Sequence, residues 1–234
     1  MSRLLLGIPS KGRLQADTAA WFARRGIEIE REGHSRGYAA SARGFDGLGV
    51  ILLAAAEIPR ELAAGRLHVG ITGEDLVREE LPAHETEIRM AMPMGFGHAD
   101  LVVAVPSVWV DVETMHDLDE AAHEFRRRHG RRLRIATKYH NLAREFLRNS
   151  GVADYALVDS QGATEAAPKN LTAEAIIDIT SSGVTLSANH LRPLADGLIL
   201  RSQAMFCVSR TAHWPREVEA ILAKLEARLD QPAA

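Results

Sequence analysis

At 234 residues the chain is long enough for one large domain or two small lobes, and 46% apolar with 25% charged residues is ordinary for a globular protein. The net charge of −3 excludes a general attraction to nucleic acid or to an anionic membrane surface. A single cysteine, Cys207, excludes an internal disulfide, fits a reducing compartment and reads as a small buried hydrophobe within Ala204-Met205-Phe206-Cys207-Val208. No stretch approaches the roughly 20 apolar residues that span a bilayer. The opening MSRLLLGIPSKGR has too short an apolar run for a secretory leader, so a cytoplasmic protein is expected.

One pattern recurs along the chain: a short apolar run, a small or polar loop, then an amphipathic helix. The first copy is LLLGI (4–8), Pro9-Ser10-Lys11-Gly12-Arg13, and a helix through Trp21 and Phe22 that stops near Gly26. GVILL (49–53) leads into Glu57-Ile58-Pro59 and a helix ending near Gly65. LHVGI (67–71) is followed by Thr72-Gly73-Glu74-Asp75 and LVREEL. LVVAVP (101–106) reads as another buried strand, and 117–132 as an arginine-dense helix with a solvated face. LRIA (133–136), Thr137-Lys138-Tyr139-His140 and a helix capped by Asn141 come next. AIIDI (175–179) then runs into Thr180-Ser181-Ser182-Gly183-Val184-Thr185. Val218, Ile221, Leu222, Leu225 and Leu229 form the apolar face of a terminal helix, with Pro215 in its first turn. Strands alternating with helices predict an α/β protein with largely parallel sheets, in which ligands bind beyond the carboxyl ends of the strands.

The 180–185 loop carries the most chemistry. Its backbone N–H groups and the hydroxyls of Thr180, Ser181, Ser182 and Thr185 offer many donors with little side-chain bulk. Gly183 permits close approach, and a helix starting near Thr185 would aim its positive end at the same point. Those features describe a phosphate cradle. Asp178, at the strand end, is placed to accept from ribose hydroxyls or to hold Mg²⁺ through water. The bland alternative is a plain turn with a capping acid. Lys11 and Arg13, two cations just beyond the first strand, suit a polyphosphate. There is no GxxxxGK[ST], no GxGxxG between a strand and a helix, no HExxH and no GxSxG, and no residue set reads as a dedicated metal site.

These residues resemble the short form of the ATP phosphoribosyltransferase family. The likeness spans nearly the whole chain and rests on IPSKGRL (8–14), EIP (57–59), VGITGEDL (69–76), IATKYHNLAREF (135–146), Glu165 and DITSSGVTLSAN (178–189). It implies two α/β lobes of the type II periplasmic-binding-protein kind, with the active site in the cleft between them. One lobe would take 1–94 plus 187–234, and the other 95–186 with the phosphate loop. The implied reaction joins N1 of the adenine of ATP to C1 of the ribose of phosphoribosyl pyrophosphate (PRPP), releases pyrophosphate, opens histidine biosynthesis and requires Mg²⁺ bound with the substrates. Lys11, Arg13 and Asp178 become the candidate catalytic residues. Glu165, Asp178, Thr180, Ser181, Ser182, Gly183, Val184 and Thr185 become the PRPP candidates. Lys11, Arg13, Thr72, Gly73, Glu74 and Lys138 become the ATP candidates. The implied partners are further copies of the chain, as a homodimer or larger, and a regulatory subunit resembling histidyl-tRNA synthetase. Three positions depart from the family pattern. Ala54-Ala55-Ala56 replace arginines, with Arg36 and Arg43 as substitute cations; Leu171 replaces a glycine; and His140 replaces the proline of a Tyr-Pro pair. The rival readings are a phosphoribosyltransferase of the commoner class, disfavoured because Asp178 lacks an adjacent acid, and a bilobal solute-binding or sensor protein.

Overall fold

The computed structural model describes residues 3–31, 39–160 and 162–230. The chain divides into two compact units, Met1–Gly97 with Gln203–Ala234, and His98–Ser202.

In chain order the first unit comprises β1 (Leu4–Pro9), α1 (Gly12–Ala23), β2 (Glu28–Arg31), β3 (Ala39–Arg43), β4 (Leu48–Leu53), α2 (Glu57–Ala63), β5 (Val69–Gly73), α3 (Glu74–Glu80) and β6 (Ile88–Pro93). The second unit follows with β7 (Ala99–Pro106), α4 (Met115–His129), β8 (Leu133–Thr137), α5 (His140–Asn149), β9 (Tyr155–Asp159), β10 (Ala175–Thr180), α6 (Val184–Ala188) and β11 (Leu191–Ser202). The chain then returns to the first unit with β12 (Ala204–Ser209) and α7 (Arg216–Leu229).

The first unit holds a seven-stranded sheet in the order β2-β3-β4-β1-β5-β12-β6. Its central strands β4, β1 and β5 are parallel. A parallel sheet must be covered on both faces, and the period-two pattern of β1 shows how. Leu4, Leu6 and Ile8 pack with Trp21 and Phe22 of α1 and with Val218, Leu225 and Leu229 of α7. Leu5 points the other way, toward Ile58 and Leu62 of α2 and Val77 of α3. Cys207 lies in that second layer, and burial pushes its thiol up to about 12, so it is inert.

The second unit holds a five-stranded sheet in the order β11-β7-β10-β8-β9. Strands β10, β8 and β9 are parallel, and β7 runs antiparallel to β10. Here β11 pairs with β7 along most of its length, which keeps residues 191–202 in the second unit. The return expected at 187 therefore occurs at Gln203, after that pairing is complete.

Two helix starts differ from the sequence expectation. Helix α5 begins at His140 rather than after Asn141, because the Tyr139 carbonyl accepts the Ala143 N–H at 2.9 Å and closes the first turn there. Pro215 precedes α7 rather than entering its first turn, with an extended ψ of 148°. The arginines of α4 and its exit are mostly paired: Arg126 with Asp154, Arg127 and Arg128 with Glu124, and Arg131 with Glu174.

Glu174 anchors the segment before β10. It accepts from the Arg134 guanidinium at 2.7 Å and from the Arg134 amide at 2.8 Å. Burial acts to raise its pKa, but the bonds from Arg134 and Arg131 outweigh that and hold it at about 2. A depressed carboxylate contributes stability that is present above its ordinary value of 4.5 and is lost as pH falls from there through about 2. Glu174→Gln should lower the melting temperature at neutral pH and flatten its acid decline. An unchanged acid limb would show that the clamp contributes nothing.

Leu171, in the same segment, has φ 58° and is 79% exposed. The left-handed region costs a residue with a Cβ about 1–2 kcal/mol, of which glycine's extra unfolded-state freedom offsets about 0.5–1. Leu171→Gly should therefore stabilise the protein by about 0.5–1 kcal/mol in denaturant melts. A net loss of stability would contradict this.

Candidate active site

The carboxyl ends of β8, β9 and β10 share one edge of the second unit. Lys138 follows β8, and Asp178 lies two residues from the end of β10, with its carboxylate largely buried. Lys138 Nζ stands 3.9 Å from Asp178 Oδ1, which also accepts the Ile179 N–H at 2.9 Å. Burial raises the Asp178 pKa above the usual carboxylate range, and Glu165 adds to this as a neighbouring negative charge. Lys138, the Ile179 amide and the Thr164 hydroxyl pull the other way without cancelling it. Thr164 and Glu165 sit in a single 3-10 turn, Thr164–Ala166.

Beyond β10 the chain makes an open loop. The Gly183 N–H donates to Thr180 Oγ1 at 2.9 Å, which folds the loop back on the strand end. Gly183 has φ 73° and serves as the residue before α6. A Cβ built on it would meet nothing within 4 Å, so the protein itself does not require glycine's small size there; the positive φ does. The amides of Ser181, Ser182, Val184 and Thr185 donate to no described residue, and all four residues are exposed. Leu186 anchors α6 in the core, and the Asn189 side-chain amide caps it by donating to the Thr185 carbonyl at 3.0 Å. The motif thus divides into anchoring residues (Thr180, Leu186, Asn189) and residues whose amides are open (Ser181, Ser182, Val184, Thr185).

The first unit offers a second edge at the carboxyl ends of β1, β4 and β5. Lys11 is exposed at the start of α1, and Gly12 turns the chain with φ 79°. Arg13 is exposed and, among the described residues, makes only a 3.5 Å contact with Asp17. Several expected ATP contacts are engaged within the protein. The buried Thr72 hydroxyl donates to the Ala55 carbonyl at 2.8 Å. Glu74 pairs with Arg78 at 2.8 Å. A Cβ at Gly73 would lie 2.2 Å from Asp75 Oδ1, so any larger residue would force that buried carboxylate to shift. Glu57 accepts the Ala54 N–H at 3.0 Å, so the acid of the Glu-Ile-Pro motif closes the turn that leads into its own helix. Arg43 pairs with Glu28 and Glu30, which raises its pKa and leaves it committed on the β2–β3 hairpin rather than free to replace the arginines absent at 54–56. Arg36 lies outside the described residues.

The structure therefore groups Lys138, Thr164, Glu165, Asp178 and the 181–185 loop on one edge, and Lys11, Arg13 and Thr72–Glu74 on the other. Lys138, expected on the ATP side, stands with the PRPP candidates. Thr164 was not singled out from the sequence; its adjacency to Glu165 was the available signal. Mg²⁺ prefers oxygen ligands and retains water, so one or two carboxylates plus substrate phosphates suffice to hold it. Asp178 and Glu165 supply such a pair, and among the described residues no cluster of three metal-binding side chains exists. That donor set fits an ion delivered with a phosphorylated substrate.

Known proteins match this arrangement. The ATP phosphoribosyltransferase family profile matches residues 54–228. The ATP phosphoribosyltransferase of Cereibacter sphaeroides is 56% identical over 98% of this chain and 97% of its own length. That of Brucella suis is 49% identical over 96% and 98%, and that of a Bradyrhizobium strain is 49% identical over 94% and 68%. Among solved structures, the ATP phosphoribosyl transferase (HisG:HisZ) complex from Thermotoga maritima superposes with TM-score 0.73 at 23% identity, covering 97% of this chain and 98% of that one. The alkanesulfonate-binding protein SsuA from Xanthomonas axonopodis shares the fold with TM-score 0.52 at 16% identity, covering 98% and 72%. With a profile match over most of its length and relatives near half identity from end to end, this chain belongs to the ATP phosphoribosyltransferase family, the enzymes of the first step of histidine biosynthesis.

Proposed function

We propose that the carboxyl edge of the second unit binds PRPP and that the edge carrying Lys11 and Arg13 binds ATP. The observation that carries the first half is the set of open amides at 181–185 beside a buried carboxylate. Free N–H groups in a loop that leads into a helix suit a dianionic phosphate, and the 5-phosphate of PRPP is the group to fill it. Asp178 and Glu165 would accept from the ribose hydroxyls.

In the reaction the C1–O bond to pyrophosphate breaks and its electron pair leaves on the phosphate oxygen. The adenine N1 lone pair forms the new bond to C1. Negative charge grows on pyrophosphate, so cations are the groups the chemistry needs. Lys138, 3.9 Å from Asp178, would stand beside the reacting ribose. Lys11 and Arg13, exposed and only weakly engaged, would meet the ATP polyphosphate. Mg²⁺ bound to pyrophosphate would neutralise further charge, with Asp178 and Glu165 reaching it through water. No covalent nucleophile is required, because holding two substrates in line lowers the barrier by several kcal/mol.

The enzyme would act in the cytoplasm as a homo-oligomer joined by a regulatory subunit. The HisG:HisZ assembly of the Thermotoga structure supports that reading, and light scattering of the chain alone and with a candidate regulatory subunit tests it. A fully active monomer would count against it. The direct test of function is product absorbance from ATP, PRPP, Mg²⁺ and pyrophosphatase. Product that requires PRPP is expected; none, with or without the regulatory subunit, would reject the assignment.

The raised Asp178 pKa carries a sign. At neutral pH the ionised carboxylate is held where burial disfavours it, so its charge opposes folding there. Asp178→Asn should raise the melting temperature at pH 7 while lowering kcat/KM for PRPP by about 10- to 100-fold, the loss of a hydrogen bond to a charged group. A destabilised variant that keeps its PRPP kinetics would contradict the assignment. Gly183→Val should place a side chain in the open space before α6, so PRPP binding should weaken by about tenfold or more with ATP binding unchanged. Equal weakening of both substrates would misplace the 5-phosphate.

A further inference from the structure

Helix α5 starts at an unusual residue. Its first turn contains no acidic residue and no side-chain cap, and its first position is His140. Proline or an acid is the common occupant there. His140 is instead held by a partner on the neighbouring strand: its Nε2 stands 3.1 Å from Asp159 Oδ1. Asp159 ends β9, directly opposite Thr137 in the parallel register with β8. The pair therefore clips the start of α5 to the neighbouring strand end.

Only Lys138 and Tyr139 lie between the end of β8 and His140. Tyr139 is fixed on the inner side, with a buried ring and an amide that donates to Thr137 Oγ1 at 2.9 Å. Lys138 Nζ lies 5.1 Å from the centroid of that ring and 3.9 Å from Asp178 Oδ1. The backbone of Lys138 is thus held by the Thr137 hydroxyl on one side and by the His140–Asp159 pair on the other.

We infer that His140 is a positioning residue: with Asp159 it sets the two-residue connection that presents Lys138 to the phosphorylated ribose. This rests on the proposed placement of PRPP. The pair is partly exposed, and exposed pairs contribute little, so the effect should be modest and specific to one substrate. Proline offers a replacement device. The His140 amide donates to no described residue, and Tyr139 has ψ 66°, outside the helical region that a following proline disfavours.

The experiment is steady-state kinetics for both substrates on the enzyme and on His140→Ala, His140→Pro, Lys138→Met and the double variant Lys138→Met/His140→Ala. His140→Ala should raise KM for PRPP about 2- to 5-fold and leave KM for ATP unchanged. His140→Pro should restore KM for PRPP to near its original value. In the Lys138→Met background, His140→Ala should add nothing. The same factor in both backgrounds, or no change in KM for PRPP, overturns the inference. Should Lys138→Met itself leave PRPP kinetics untouched, the placement of Lys138 beside PRPP fails and the inference with it.

Discussion

A carboxylate at the end of an apolar strand constrains the second unit more than any other group. Ala175, Ile176 and Ile177 are buried, and Asp178 follows them into an environment that disfavours its charge. A lysine at the edge of contact distance, one amide and one hydroxyl are what the protein supplies to keep it ionised. Hydrophobic packing of β10 between β7 and β8 holds the strand in this register, so the acid cannot retreat to water without breaking the sheet. A site that retains such an acid accepts a penalty in stability for a group that a bound ribose would use.

The loop that follows applies the same logic with backbone groups. Its structural needs are met by few residues: Thr180 takes the Gly183 amide, Leu186 enters the core and Asn189 closes α6. The amides of Ser181, Ser182, Val184 and Thr185 are left toward solvent. The first unit shows the contrast. Thr72, Glu57 and Glu74 are all occupied by internal contacts, while the cations Lys11 and Arg13 stand exposed.

Much of this was legible in the sequence, for physical reasons. The strand–loop–helix alternation and the left-handed glycine at 26 rest on local rules, and local rules hold here. What was not legible depends on pairing at a distance. The order of strands in each sheet, the β7–β11 pairing that delays the return to the first unit until Gln203, and the placement of Lys138 beside Asp178 each join residues far apart in the chain. The same holds for Arg43, whose charge reads as available in the sequence but is committed to Glu28 and Glu30 across a hairpin. Leu171 shows the reverse case. Its position matched a glycine in the family pattern, and the backbone there is left-handed although the residue is not glycine.

The most direct test of the central claim is amide hydrogen exchange of the chain with and without PRPP, read residue by residue. The phosphate-cradle account predicts that the Ser181, Ser182, Val184 and Thr185 amides, open in the free protein, become slow when PRPP binds, and that ribose 5-phosphate alone slows the same set. Saturating PRPP with no change at these four amides, and protection confined to residues 11–13, would contradict it.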